Sequence, residues 1–214
     1  MKRYLVFTLL LFPFLLNAQS ISLDCGKSSS SFIYTDSNGD KLDNLTNKWG
    51  DILSVKYSYP LSDKFDVGLG LQKNEYGAQS LDSDNKLDWD VSYFGLELDF
   101  GYSFDLINSA DTSSGSHSPL VAVVSMGFSH SWLTKGMQEI DDRVYDLKDF
   151  DGGFSNLIKA KIGVGLLYNL NKTTALSLEY VIHRGLNNME TDNQKLHLLA
   201  HHILLGIVID LKQN

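Results

Sequence analysis

Between Ser92 and Leu106 an apolar side chain occupies every second position. Phe94, Leu96, Leu98, Phe100, Tyr102, Phe104 and Leu106 share one face, while Tyr93, Gly95, Glu97, Asp99, Gly101, Ser103 and Asp105 share the other. A period of two belongs to a β-strand, whose successive side chains point to opposite sides. Such a strand divides an apolar environment from one that is wet or filled with paired charges. Segments of roughly ten residues with this rhythm recur along the chain, which predicts a closed barrel.

Eight strands are predicted in all. The first spans about Ser22 to Tyr34, where the serine run Ser28 to Ser31 blurs the alternation. The second runs from Ile52 to Leu61 and the third starts at Phe65. The fourth is the Ser92–Leu106 segment and the fifth is Leu120 to Leu133. The sixth covers Ile158 to Leu170, the seventh Leu176 to His183 and the eighth Ile203 to Leu211.

The ends of the chain suggest export. Lys2 and Arg3 precede an apolar stretch from Tyr4 to Leu16, and Leu16-Asn17-Ala18 offers a small residue before Gln19. This is the pattern of a secretory signal peptide cleaved after Ala18. Residues 1–18 are then a leader, and residues 19–214 form a single barrel domain. Cys25 is the one cysteine, so no intrachain disulfide forms. It follows Asp24 and lies well beyond the apolar core of the leader, which argues against a lipid anchor. The formal charge of −8 becomes −10 once Lys2 and Arg3 are removed, and no basic patch is visible. Nucleic acid is therefore not an expected partner.

The connections alternate in length. Leu61–Lys64 and Asn171–Thr173 are tight turns, and Asn108 to Ser118 is a longer link of small polar residues. The others, about 35–51, 80–90, 134–153 and 187–197, are long and acidic. Short turns at one end and long loops at the other predict an all-β, eight-stranded antiparallel up-and-down transmembrane β-barrel. Its short turns would be periplasmic and its long loops extracellular, in the outer membrane of a Gram-negative cell. A soluble lipocalin-like ligand-binding barrel has the same alternation with the apolar face inward. Three features favour apolar-out here. The polar face is rich in Gly and Ser, which suit a narrow interior. It carries both signs of charge, at Lys56, Asp66, Glu97, Asp99, Lys159, Lys161 and Glu179, which can pair as a lumen charge network. Aromatics at Tyr59, Phe65, Phe104, Trp132 and Tyr168 sit near strand ends, where a membrane girdle places them. A barrel of this size is filled by its side chains, so it is not expected to conduct.

The segment Tyr57-Ser58-Tyr59-Pro60-Leu61-Ser62-Asp63-Lys64-Phe65, followed by Gly68-Leu69-Gly70-Leu71, resembles the second hairpin of PorT-like outer-membrane barrels of Bacteroidota. Ser118-Pro119-Leu120 is similar to their Gly-Pro strand start. Asp151-Gly152-Gly153 with Gly163-Val164-Gly165, and Tyr180 with Gly185-Leu186-Asn187-Asn188-Met189, resemble two further signatures. The resemblance implies an eight-stranded outer-membrane barrel and no single activity. Its name-giving members are associated with protein secretion and gliding. The chain departs from the pattern by ending Asp210-Leu211-Lys212-Gln213-Asn214, without a terminal aromatic residue.

Candidate chemistry is sparse. An outer-membrane lipid-modifying hydrolase of the His-x-Ser type needs a serine where His183-Arg184-Gly185 has glycine. In Ser129-His130-Ser131 the serines adjoin the histidine and project to the opposite face of a strand. His197, His201 and His202 cluster, but adjacent histidines on a strand also diverge. Asp36, Asn38, Asp40, Asp82 and Asp84 are weak calcium candidates, since the first loop lacks its full length and terminal Glu and the second, though ligand-like in its alternation, has Lys86 in the middle. Calcium there would bridge the loops to lipopolysaccharide. No catalytic residue and no cofactor are expected. The reading is a non-enzymatic barrel with a structural, adhesive or accessory role in a secretion-type envelope complex. Its partners would be outer-membrane lipid, lipopolysaccharide and an envelope protein held by the acidic loops.

Overall fold

The computed structural model describes residues 19–35, 45–80, 87–107, 119–140, 143–148, 154–187, 189–191 and 194–211. The expected leader at 1–18, the calcium candidates Asp36, Asn38, Asp40, Asp82 and Asp84, and the Asp151–Gly153 motif lie outside these residues. Ten strands appear in chain order: β1 (Ser20–Thr35), β2 (Leu45–Pro60), β3 (Phe65–Ser80), β4 (Leu87–Asp105), β5 (Leu120–Ile140), β6 (Arg143–Asp146), β7 (Asn156–Asn169), β8 (Thr174–Gly185), β9 (Met189–Thr191) and β10 (Gln194–Asp210). Eight of them pair antiparallel in the order β1-β2-β3-β4-β5-β7-β8-β10, and β10 closes on β1. The short β6 and β9 extend β5 and β10 at the long-loop end.

The register fixes the shape. Starting at Ser20 and stepping across successive Cα partners leads to Ser58, Gly68, Asp99, Gly127, Lys161, His183 and Ala200. The next step returns to β1 at Ser30, ten residues further along. Eight strands with that stagger tilt by about 40° to the barrel axis.

The apolar face points outward. On β4, Phe94, Leu96, Leu98, Phe100 and Phe104 are exposed, as are Ile158, Ile162, Val164 and Leu166 on β7 and Ile203, Leu205, Ile207 and Ile209 on β10. From Phe94 to Phe104 the tilted strand rises by roughly 25 Å, the height of a lipid-facing band. Aromatics rim its lower edge. Phe65 and Tyr102 meet edge to face at 4.6 Å, and Tyr102 and Phe104 at 4.5 Å. Among the described residues no helix is long and apolar enough to cross a membrane.

The strands at the long-loop end run well past the predicted boundaries. β2 begins at Leu45 rather than Ile52, β4 at Leu87, β10 at Gln194, and β5 continues to Ile140. The physical reason is that the alternation inverts there. Above the lipid-facing band Trp89, Val91 and Tyr93 of β4 point inward, and Asp90 points out. Tyr76 and Ala78 of β3, and Leu196, Leu198 and Ala200 of β10, also point inward. Register shifts between Asn47 and Ile52 on β2 and near Thr134 on β5 break the phase further. These wall segments carry polar residues outward, like a soluble barrel, so they read as loop.

Candidate functional site

The inside of the barrel is layered. At the long-loop end Phe32, Tyr76, Trp89, Val91, Tyr93, Leu147, Phe154, Leu157, Leu196 and Leu198 form one buried apolar cluster. Leu147 and Phe154 come from the segment between β6 and β7 and fold back into the mouth. The Leu147 N–H donates to Gly136 O at 3.0 Å, and the Tyr93 hydroxyl donates to Phe154 O at 2.8 Å. The upper lumen is thus an apolar plug, which the alternation did not foresee.

Below the plug lies a layer of buried polar groups. His183 and His202 are perpendicular, with ring centroids 4.3 Å apart, and His202 stacks on Tyr76. Lys159 is fully buried, and its Nζ donates to Tyr76 Oη at 2.8 Å. No carboxylate lies within ion-pair distance of it among the described residues. Gln72 and Asn74 bond to each other at 2.8 Å.

The next layer holds the ion pairs. Lys161 Nζ lies 2.7 Å from Glu97 Oε1 and 2.5 Å from Asp99 Oδ2, and Lys56 Nζ lies 3.3 Å from the same Asp99 oxygen. So four of the seven residues proposed for the lumen network, Lys56, Glu97, Asp99 and Lys161, share one cluster. Glu179 accepts from the Ser125 hydroxyl at 2.7 Å and pairs with no cation among the described residues. Asp66 stands lower, over Gly101, also without an ion pair.

Asp24 is a lumen carboxylate that the sequence reading missed. It accepts hydroxyl bonds from Ser22 at 2.9 Å, Ser177 at 3.2 Å and Ser54 at 3.4 Å. Its signal was present, since Ser22 and Asp24 alternate with Leu23 and Cys25. Glycines make room for these groups. A Cβ on Gly206 would overlap Asp24 Oδ1, and one on Gly163 would come within 2.9 Å of Glu179 Oε1.

The lumen is not filled to the short-turn end, contrary to the expectation of a side-chain-filled barrel. A cavity of about 910 Å³ lies there, lined by Ser20, Ser22, Asp24, Lys56, Ser58, Asp66, Asp99, Ser125 and Glu179 among others. Serine and glycine are too small to fill the section. A second space of about 20 Å³ lies deeper, between Asp24, Lys56, Gln72, Glu97, Glu179, His183 and His202.

The remaining candidates do not converge. His130 is on the outer wall beside Trp132, while Ser129 and Ser131 point inward without hydrogen-bond partners. His201 is on the outer wall, its Nδ1 2.7 Å from the Tyr180 hydroxyl, and His202 is inside. No group of three or more His, Cys, Asp or Glu side chains suited to a metal ion occurs among the described residues.

An eight-stranded closed barrel with an apolar outer band and an ion-paired lumen has the architecture of the small outer-membrane β-barrels. Solved structures agree on the fold. The chain is similar to the outer membrane protein OprG of Pseudomonas aeruginosa, at 13% identity and a TM-score of 0.51 over 90% of this chain and 96% of that one. It is also similar to a major outer membrane protein of Thermus thermophilus, at 14% identity and a TM-score of 0.50 over 91% and 100%. No protein-family model and no curated protein matches it.

Proposed function

We propose that the protein is an integral, non-enzymatic barrel of the outer membrane that passes no solute and acts through the loops at its extracellular end. The observation that carries this reading is the double closure of the lumen. The Lys161–Glu97–Asp99–Lys56 cluster blocks the middle, and the apolar cluster around Trp89 and Phe154 seals the long-loop mouth. Strands β2, β3, β4, β5 and β10 rise above the lipid-facing band. Such a platform suits an adhesive role or an accessory subunit of an envelope complex. The resemblance to PorT-like barrels favours the accessory role. Lipid and lipopolysaccharide then surround the band, and a protein partner meets the loops.

Cell fractionation combined with gel mobility before and after heating tests the membrane claim. Heat-modifiable protein in the outer-membrane fraction is the expected result, and soluble protein overturns it. Planar-bilayer recording tests the closure, where porin-like conductance would sink it. A pull-down from native outer membrane with and without loop substitutions identifies the partner.

A further inference from the structure

We infer that the cavity at the short-turn end binds small organic polycations, linear primary amines of the polyamine class, which enter from the side of the chain termini. The site is distinct from the loops and does not depend on what they hold.

The cavity is large and blind. It opens where the Pro60–Phe65 and Asn169–Thr174 turns lie, and the ion-pair cluster closes it above. Its walls offer hydroxyl oxygens from Ser20, Ser58 and Ser125, each able to accept from an ammonium group.

Its charge is unbalanced. Asp24, Asp66, Glu97, Asp99 and Glu179 face the lumen against three lysines, Lys56, Lys159 and Lys161; of these, Lys56 and Lys161 lie within ion-pair distance of an acid among the described residues, and both pair with Asp99. Asp24, Asp66 and Glu179 have no cation within ion-pair distance among the described residues. Lys172 lies at the mouth and is exposed. A carboxylate as enclosed as Asp24, 7% exposed, is costly to hold charged without a counter-ion. A bound ammonium supplies one.

Two nearly buried side chains point to a ligand as well. Asp99 is 3% exposed and lines the cavity, and its Oδ1 accepts no hydrogen bond. His183 is 3% exposed and borders the deeper space with both ring nitrogens unpartnered. Asp24, Lys56 and Glu179 line both spaces. An amine seated between Asp24 and Glu179 donates to both, and its far end reaches Asp66 near the mouth. The acids are spread along the wall and do not gather three to a point, which suits separated ammonium groups better than one metal ion.

Isothermal calorimetry on the full chain, purified from membranes in non-ionic detergent and titrated with spermidine, tests this. The expected result is saturable heat that weakens with salt. The Asp24→Asn/Glu179→Gln double variant should bind at least about tenfold more weakly, and Glu75→Gln on the outer wall should bind as the parent does. Asp66→Asn, which removes a carboxylate with no ion pair, should weaken binding several-fold, and it decides the matter if the double variant is not heat-modifiable. No saturable heat overturns the proposal. So does unchanged binding in a folded lumen variant, equal weakening by Glu75→Gln, or magnesium ion binding more tightly than spermidine at the same acids.

Discussion

Lys161 Nζ sits 2.5 Å from Asp99 Oδ2, in a lumen where both side chains are almost wholly buried. The two residues lie 62 positions apart, on β7 and β4, and flank Gly127 of β5 in register, so the contact bridges over one intervening strand. Lys161 also holds Glu97, and Lys56 holds the same Asp99 oxygen at 3.3 Å. Desolvating four charges is expensive, and mutual pairing recovers that cost only while all four are present.

Lys161→Met should therefore lower the free energy of unfolding by about 3–5 kcal/mol, because it strands the buried Glu97 carboxylate and leaves Asp99 only the longer contact with Lys56. Urea unfolding of the barrel in lipid vesicles, followed by heat-modifiable mobility, measures it. A loss below about 1 kcal/mol would mean that the pair is hydrated and contributes little.

The glycines that cradle these groups give a second expectation. A Cβ at Gly206 collides with Asp24 Oδ1 and with Ser177 Oγ. Gly206→Ala should cost about 1–3 kcal/mol through overpacking. Adding Asp24→Gly should restore part of the loss, because the carboxylate that is struck is gone. Additive losses in the double variant would show that the two positions do not touch.

How much of this was legible in the sequence depends on height along the barrel. Within the lipid-facing band the alternation is regular, and Leu96, Leu98, Glu97 and Asp99 fall on the sides that their order assigns. The alternation says that Glu97, Asp99 and Lys161 face inward. It does not say which partners meet, because the registers of β4 on β5 and of β5 on β7 decide that. Lys159 illustrates the gap. It shares a face with Lys161, yet two residues further up the wall it meets Tyr76 rather than an acid. Above the band the pattern inverts, so Trp89 and Val91 read as loop although they are core. The cavity was hidden for a different reason. Small residues on the inner face suit a narrow lumen, and here they also leave space unfilled.

The apolar plug yields a third expectation. Phe154 is 2% exposed within the cluster that seals the mouth. Phe154→Ala should cost about 3–5 kcal/mol by leaving a cavity. It should also raise the rate of proteolysis in the segment between β6 and β7, since the buried Phe154 ring ties that segment to the apolar cluster. Limited proteolysis of folded barrels on whole cells reads this. An unchanged cleavage rate would show that the segment is held by other contacts.

Cys25 gives the most direct test of which face meets lipid. It lies on the outer wall of β1, paired in register with Leu53 of β2 and Leu205 of β10, and both neighbours are exposed apolar residues. A charged reagent stays in water and does not enter hydrocarbon. In lipid vesicles a charged methanethiosulfonate reagent should therefore leave Cys25 unmodified, while the same reagent should modify it fully once the chain is unfolded in urea. Because this is the single cysteine of the chain, mass spectrometry of the intact protein reads the outcome without ambiguity. Fast modification in the folded, vesicle-bound barrel would place Cys25 in water. That would break the apolar-out assignment from which the membrane reading and the enclosed lumen both follow.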